Sequence, residues 1–348
     1  MQKTIDLRSD TVTQPTEEML DAMRNADTGD DFYGDDRVVI ELEELAAHKL
    51  GKEAGLFVTS GTMGNLVSIM ASTQRGDSII VESEAHVYRS EAGHLSAICG
   101  VLPKRVKGYR GMMSIKDIEA AIFPDGMLLP PTTMICIENT HNAAGGTCCG
   151  INDMASIRKL ADDCGLKVHV DGARIFNAAV ALDCDVKDLA EKADSLTFCL
   201  SKGLACPFGA VVVANRSFIK KCRKVRQMVG GGMRQAGFMA AAGIMALNKM
   251  VDRLAEDHAN ARLLAAGLLD MGLDVDADTV QTNIVFLNAA KMRMGASAFA
   301  ESIRANGVLV NMPGANGRIR FVTHYGISDE DIKRTLVIIK KQLGSSGV

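Results

Sequence analysis

The chain has 348 residues, 47% of them hydrophobic, and its 39 lysines and arginines against 42 aspartates and glutamates give a formal net charge of -3. That length supports a well-buried core and most naturally two domains, while a near-neutral balance with no long basic run argues against a nucleic-acid partner. The longest near-apolar run, residues 236–247, is too short for a bilayer and contains two glycines, and MQKTIDLRSD lacks the apolar stretch of a signal peptide, so no membrane partner and a cytoplasmic location are expected.

In chain order, DDRVVIELEELAAHKLG reads as a helix, with acids at its start and Gly51 as a stop signal. GLFV is a short strand, GTMGNLVSIMAS a helix behind it, SIIVES and VLPKRV two more strands, and SIKDIEAAIF a helix opened by the capping box Ser114/Asp117. TMICIE is a buried strand, NDMASIRKLADDCG a capped amphipathic helix, and LKVHV, LTFCL and AVVVA are three further strands. Short apolar strands alternating with helices imply an α/β fold with a mainly parallel sheet covered on both faces. The small residues of AGFMAAAGIMALNKM suit close helix packing. Beyond about residue 248 the texture changes to one long charged helix, NKMVDRLAEDHANARLLAAGLLDMG, and then TNIVFL, GVLVN and RIRFVTH read as strands of a separate, smaller sheet. The expected division is a large domain over 1–248 and a small C-terminal α+β domain over 249–348. The nine cysteines form no C-x-x-C pair and no metal-ligand spacing with histidine, so no metal is expected and they read as reduced core thiols.

Open parallel sheets bind ligands outside the carboxyl ends of their strands. Polar residues recur there: TSGTMGN after GLFV, His86 after SIIVES, Asn139 and His141 after TMICIE, Asp171 and Arg174 after LKVHV, Ser201 and Lys202 after LTFCL. TSGTMGN opens a helix, so its N–H groups and the Ser60 and Thr62 hydroxyls suit an anion, although a tight turn without a ligand has the same composition. Neither a P-loop nor a G-x-G-x-x-G fingerprint follows the first strand, which argues against a nucleotide. Asp171, ending a buried strand, needs a partner, either Arg174 or a ligand. A phosphate cup, a carboxylate for a pyridine nitrogen and a lysine for an imine together fit pyridoxal 5'-phosphate, with Lys202 as the imine-forming residue and Asp171 as the carboxylate. Of the other histidines, His48, His258 and His324 read as surface or structural, and His169 alternates with core positions.

DLRSDTVTQPTEEML, GDDFYGDD, SGTMGN, ENTHN, HVDGARIFNA, CLSKGL, GGGMRQAG and RFVTH, in this order from about residue 5 to about 340, resemble the L-threonine aldolases, pyridoxal-phosphate enzymes of the aspartate-aminotransferase fold, fold type I. The resemblance implies that Lys202 bonds the cofactor, Asp171 pairs with the pyridine nitrogen, Gly61 and Thr62 bind the phosphate and His86 stacks on the ring. It implies further that Ser9, Arg174 and Arg320 hold the substrate carboxylate, the arginines by their planar forks. Arg234 matches a position near the cofactor phosphate that is often supplied by a neighbouring subunit. A homo-oligomer, usually a tetramer with sites at dimer interfaces, is implied too, with the N-terminal segment, GDDFYGDD and VGGGMRQ as contact regions.

The implied reaction is cleavage of the amino acids L-threonine or L-allo-threonine to glycine and acetaldehyde, with His86 or His141 taking the hydroxyl proton. The chain departs from the family at VYRSEAGH, where members usually have more aromatic or apolar residues and end in Gly-Gly; Arg89 and His94 are expected to change the shape and polarity of the substrate mouth. Competing readings on the same cofactor are a β-eliminating lyase and an aldolase for a bulkier β-hydroxy amino acid such as phenylserine. A homologue that binds without turnover is disfavoured by the joint presence of Lys202, Asp171, His86 and Arg320.

Overall fold

The computed structural model describes residues 3–314 and 316–345. Its strands are β1 (Ile5–Asp6), β2 (Ala54–Val58), β3 (Ser78–Glu82), β4 (Leu102–Val106), β5 (Thr132–Glu138), β6 (Lys167–Asp171), β7 (Ser195–Cys199), β8 (Ala210–Ala214), β9 (Ile284–Asn288), β10 (Val308–Leu309) and β11 (Arg318–Val322). Seven of them form one sheet in the order β2-β8-β7-β6-β5-β3-β4. The neighbours from β7 to β4 run parallel, and β8 runs antiparallel to both β2 and β7. The ten-residue link from β7 to β8 contains no helix, so the chain turns back beside β7 instead of crossing over to a parallel position. The strands SIIVE, SLTFC and AVVVA are buried at every residue, which is why they read as continuous apolar runs.

The expected helices form, together with one that the sequence reading did not single out, Arg216–Met228. Asp36, Ser60, Ser114 and Asn215 each accept a hydrogen bond from a backbone N–H in the first turn they precede. Gly150 N–H donates to Asp153 at the start of Ile151–Asp163, which folds the chain onto that helix.

The C-terminal third differs from expectation in two ways. The long charged segment is not one helix: Gly237–Lys249 ends and Leu254–Asp270 begins after a break at 250–253. The first helix buries Ala240, Ala242, Ala246 and Leu247 in the core beneath the large sheet, and the second buries Ala261, Leu264 and Leu268 in a different core. A straight rod cannot face both, and we propose the domain boundary at this break. Nor do the three late strands share one sheet. TNIVFL and RIRFVTH pair as antiparallel β9 and β11, whereas GVLVN supplies β10, which pairs in parallel with β1 in the register Ile5↔Val308. The end of β11 reaches the same N-terminal segment, Val322 N–H donating to Leu7 O at 2.9 Å. Ile5 and Leu7 therefore sit in one apolar cluster with Val285, Phe299 and Phe321.

The cysteines are free, but not all are core residues. Cys148 and Cys184 are half-buried and Cys164 is exposed, where the outer face of an amphipathic helix ends. Among the described residues no helix is long and apolar enough to cross a membrane.

Candidate active site

The registers Glu138↔Asp171 and Asp171↔Thr197 set the carboxyl ends of β5, β6 and β7 side by side. Asp171 is 5% exposed. Its Oδ1 accepts from Ala173 N–H at 3.1 Å and its Oδ2 from Asn65 Nδ2 at 2.9 Å. Lys202 follows β7 in a half-buried position; its carbonyl accepts from Thr13 Oγ1 at 3.2 Å and from Ala205 N–H at 2.9 Å, so the N-terminal segment helps fix the lysine's backbone. Burial pushes the Cys199 thiol up, against the pull of the nearby Lys202 ammonium.

The helix Gly61–Ser72 points its N-terminus at this edge. Ser60 Oγ caps it by accepting from Met63 N–H at 3.1 Å, and the N–H groups of Gly61 and Thr62 lie among the first four, which have no partner within a helix. A Cβ on Gly61 would come within 2.7 Å of Cys199 Sγ, and one on Gly64 would collide with the Thr197 side chain. The small residues of this motif thus let the helix start approach β7, and the resulting N-terminus has the polarity an anion requires.

His86 opens the turn after β3. Its backbone N–H donates to Glu138 Oε2 at 2.6 Å and its Nδ1 lies 2.8 Å from Glu91 Oε1, with one-third of the side chain exposed. The Glu91 bond raises the imidazole above its ordinary value; burial opposes this, Asp171 and Glu91 add to it, and Lys202 subtracts. Asn65 joins the groups: its Nδ2 also donates to Glu91 Oε1 at 3.0 Å, and its Oδ1 accepts from His169 Nε2 at 3.1 Å. His169 therefore faces inward, and burial depresses it to about 4, leaving it neutral. His86, Glu91 and Asp171 bring donor atoms within 4.8 Å of one another, a spacing that suits a cation, but both carboxylates are already engaged by the donors just named.

Arg174 and Arg320 stand close enough that each guanidinium feels the other. Burial lowers Arg320 first and the Arg174 charge lowers it further. Arg320 on β11 donates to Asn142 Oδ1 at 2.9 Å and to Arg8 O at 3.1 Å. Arg174 is engaged more heavily: its Nε and Nη2 donate to the two oxygens of fully buried Asp10 at 2.6 and 2.7 Å. Burial alone would raise the Asp10 carboxyl, but Arg174, aided by Lys202 and Asn283, holds it well below the carboxylate range. Asp10 thus occupies two of the fork's three nitrogens and leaves Nη1. Ser9 lies beside it at the start of a short turn, its Oγ accepting from Thr11 N–H at 3.2 Å.

His141 lies at the same edge in a different setting. It is 2% exposed, its Nε2 is 3.0 Å from Glu82 Oε2 and 3.8 Å from Glu138 Oε2, and its Nδ1 is enclosed without a partner. Burial pushes Glu82 up, but bonds from His141, Gly108 and Glu84 bring it down to about 2. A cavity of about 480 Å³ lined by Glu82, Arg110, His141, Phe286 and Arg318 lies beside it. Within one chain Arg234 contacts Asp30 at 3.5 Å and covers the Phe32 ring at 4.8 Å, next to exposed Tyr33. Of the remaining histidines His48 is exposed, while His258 and His324 are buried and bonded to Asn177 and to the Asp6 and Tyr325 carbonyls.

Sequence reasoning missed Asn65, Glu91, Asp10, Glu138 and Glu82. A signal existed for Asn65, which lies one helical turn beyond Gly61 and so shares its face. The buried acids lie within four residues of candidates already singled out, but nothing local marks them as buried.

Among solved structures the chain resembles a Leishmania major threonine aldolase, with a TM-score of 0.85 at 19% identity over 97% of this chain and 99% of that one. It also resembles a Sphingomonas wittichii serine palmitoyltransferase, with a TM-score of 0.79 at 17% identity over 99% and 88% of the two chains. The fold is therefore fold type I, an α/β architecture with a mainly parallel central sheet. A family model described as beta-eliminating lyase matches residues 6–291. The probable low-specificity L-threonine aldolase 2 of Arabidopsis thaliana is 45% identical over 97% of both chains, and the low specificity L-threonine aldolase of Escherichia coli K12 is 41% identical over 94% of this chain and 96% of its own. The chain belongs to the beta-eliminating lyase family and, within it, to the threonine aldolases.

Proposed function

We propose that this enzyme cleaves L-threonine and L-allo-threonine to glycine and acetaldehyde with pyridoxal 5'-phosphate bound at Lys202. The observation that carries the reading is the convergence of an amine, a buried carboxylate, a helix N-terminus, an imidazole and two guanidinium groups on one sheet edge. Gly61 and Thr62 N–H groups, with the Ser60 and Thr62 hydroxyls, would hold the phosphate. Asp171, fixed by Asn65 and Ala173, would face the pyridine nitrogen, and His86 the ring. The fit is chemical: the donors suit a phosphate and the carboxylate a protonated pyridine. Once bound, the cofactor supplies a sink for the electron pair released at Cα.

The protein groups do the rest. Ser9, Arg174 through Nη1, and Arg320 hold the substrate carboxylate, which fixes the orientation of the Cα–Cβ bond. His86 holds its Nδ1 on Glu91, so Nε2 is the ring atom left to take the β-hydroxyl proton. As that proton leaves, the O–H pair forms the aldehyde carbonyl, the Cα–Cβ bond breaks, and Cα then gains a proton to give glycine. His141 is the poorer base because Glu82 engages its Nε2. Arg234 would meet a phosphate across a subunit contact, and the exposed aromatics beside it support a homo-oligomer, taken as a tetramer.

The test is to load the protein with pyridoxal phosphate and measure acetaldehyde and glycine from both threonine diastereomers, and benzaldehyde from phenylserine in parallel, with Lys202→Ala as control. Equal release of the two products, abolished in K202A, is expected. Release of ammonia and a 2-oxo acid would favour β-elimination, and benzaldehyde from phenylserine alone would favour the bulkier substrate; either result overturns the threonine reading.

A further inference from the structure

Of the two residues that depart from the family pattern, Arg89 and His94, the histidine is buried instead of opening onto a substrate mouth. It is 4% exposed, and its Nε2 lies 2.7 Å from Glu91 Oε2. Its neighbour in the same stretch, Arg89, is on the outside, paired with Glu84. Glu91 therefore holds two imidazoles on one buried carboxylate, His94 on Oε2 and His86 on Oε1, and Asn65 donates to the Oε1 side as well.

Proton positions follow from this network. Burial pushes the Glu91 carboxyl up, but the bonds from His86 and His94 overcome it and bring it down to about 2, so it is an acceptor only. Both ring nitrogens that face it must carry hydrogen. On its other side His94 Nδ1 faces Cys99 Sγ at 3.8 Å, and the Cys99 thiol, pushed up to about 12 by burial, keeps its proton. Donation from Nε2 to Glu91, with Nδ1 facing the Cys99 thiol, gives both His94 ring nitrogens a partner. Cys99 belongs to the apolar cluster of Leu66, Val87, Leu95 and Val101, so nothing charged replaces His94 if it is removed.

We propose that His94 is a positioning residue: by holding one oxygen of Glu91 it turns the other toward His86, fixing His86 with hydrogen on Nδ1 and a bare Nε2 toward the reacting groups. This rests on the reading above that His86 takes the hydroxyl proton. The second role is electrostatic. A donor on Oε2 withdraws charge from the carboxylate, so Glu91 stabilises the His86 imidazolium less than an undivided carboxylate would. The other charged groups at His86 are Asp171 at the end of β6, Glu138 at the end of β5, which accepts its backbone N–H, and Lys202 after β7. None of these bonds to His94, so they remain in place when it is changed.

The sign follows. A base acts in its unprotonated form, so cleavage rises with pH through the His86 titration. Loss of the His94 donor strengthens the hold of Glu91 on the His86 proton and moves that titration to higher pH. The experiment compares wild type, His94→Leu and His94→Gln, whose amide nitrogen reaches the position of Nε2. Ring-nitrogen NMR on protein labelled with 15N-histidine, with and without pyridoxal phosphate, follows His86, assigned by its loss in His86→Asn. The acid limb of kcat/KM is measured in parallel on the loaded enzyme.

H94L is expected to move both midpoints up by about one pH unit, an approximately tenfold loss of kcat/KM below the midpoint, and H94Q to restore them. If H94L does not fold, His94→Asn takes its place, since its shorter amide cannot reach Glu91. Unmoved midpoints in the donor-less variant, or equal shifts with glutamine and leucine, overturn the proposal. An NMR midpoint that moves without the kinetic limb keeps the coupling between His94 and His86 and refutes His86 as the base. If wild type releases no aldehyde, the NMR titration still decides the coupling.

Discussion

Asn65 bridges two of the buried acids at this edge, Asp171 and Glu91, and its replacement by leucine tests how far they depend on it. The amide makes three hydrogen bonds, two of them from Nδ2 to the carboxylates of Asp171 and Glu91 at 2.9 and 3.0 Å, and one to Oδ1 from His169 Nε2 at 3.1 Å. Leucine has the same branched heavy-atom skeleton, so no cavity arises, and the leading loss is that of the amide's hydrogen bonds. Asp171 keeps Ala173 N–H, and Glu91 keeps its two histidines. Hydrogen bonds to charged groups contribute about 1.5–3 kcal/mol each, and a buried donor left unpaired costs about 1–3 kcal/mol. Non-additivity among contacting groups trims the sum, so Asn65→Leu should destabilise by about 3–5 kcal/mol, a large share of an ordinary domain's stability. Urea unfolding followed by far-UV circular dichroism, with and without pyridoxal phosphate, measures it as a fall in midpoint at unchanged slope. A loss below about 0.5 kcal/mol would show that the two carboxylates do not need the amide, and the proton assignments built on it would fall.

Two further outcomes are expected. Asp10→Asn leaves the Arg174 guanidinium buried without a counter-charge and should cost about 3 kcal/mol in the same unfolding measurement; an unchanged midpoint would mean that Arg174 is not held by this pair. His258 is depressed to about 4 by burial and by Arg262, from 6.5. Between these values the unfolded chain binds a proton that the folded one does not, so His258 removes stability as pH falls from 6.5 to 4, by about 3 kcal/mol at most. His258→Gln should show a correspondingly shallower loss of stability on acidification to pH 4, and parallel curves for the two proteins would refute the burial effect.

Much of the large sheet was legible because its signals are local. A run such as SIIVE has an apolar centre, and the cap at Ser60 or Ser114 lies three residues before the N–H that donates to it. The break at 250–253 was not legible, because helix propensity continues through MVDR and only the presence of two cores interrupts it. The pairing of β10 with β1 was hidden for a similar reason: GVLVN carries the same pattern whichever edge it joins. At the sheet edge, strand ends pointed to the positions of Asp171, His86 and Lys202. Residues whose role comes from a distant partner gave no such sign: Asp10 is defined by Arg174, 164 positions away, and Asn65 by Asp171, 106 away. His94 was singled out, but its burial could not be read from a stretch that also holds exposed Arg89.

The ladder between β1 and β10 also has a meaning in time. A ribosome delivers Ile5 some three hundred residues before Val308, its partner. During that interval the nascent segment carrying Ser9, Asp10 and Thr13 has no docked strand to anchor it, although the large sheet's strands, ending at Ala214, have already emerged. The scaffold can therefore form first, while the strand pairing that anchors the segment of Asp10 and Thr13, and the Asn283 amide that donates to Asp10, arrive only with the last quarter of the chain. An interrupted chain, however well its sheet has folded, would thus hold Asp10 without the Asn283 amide and without the β1–β10 ladder that fixes its segment.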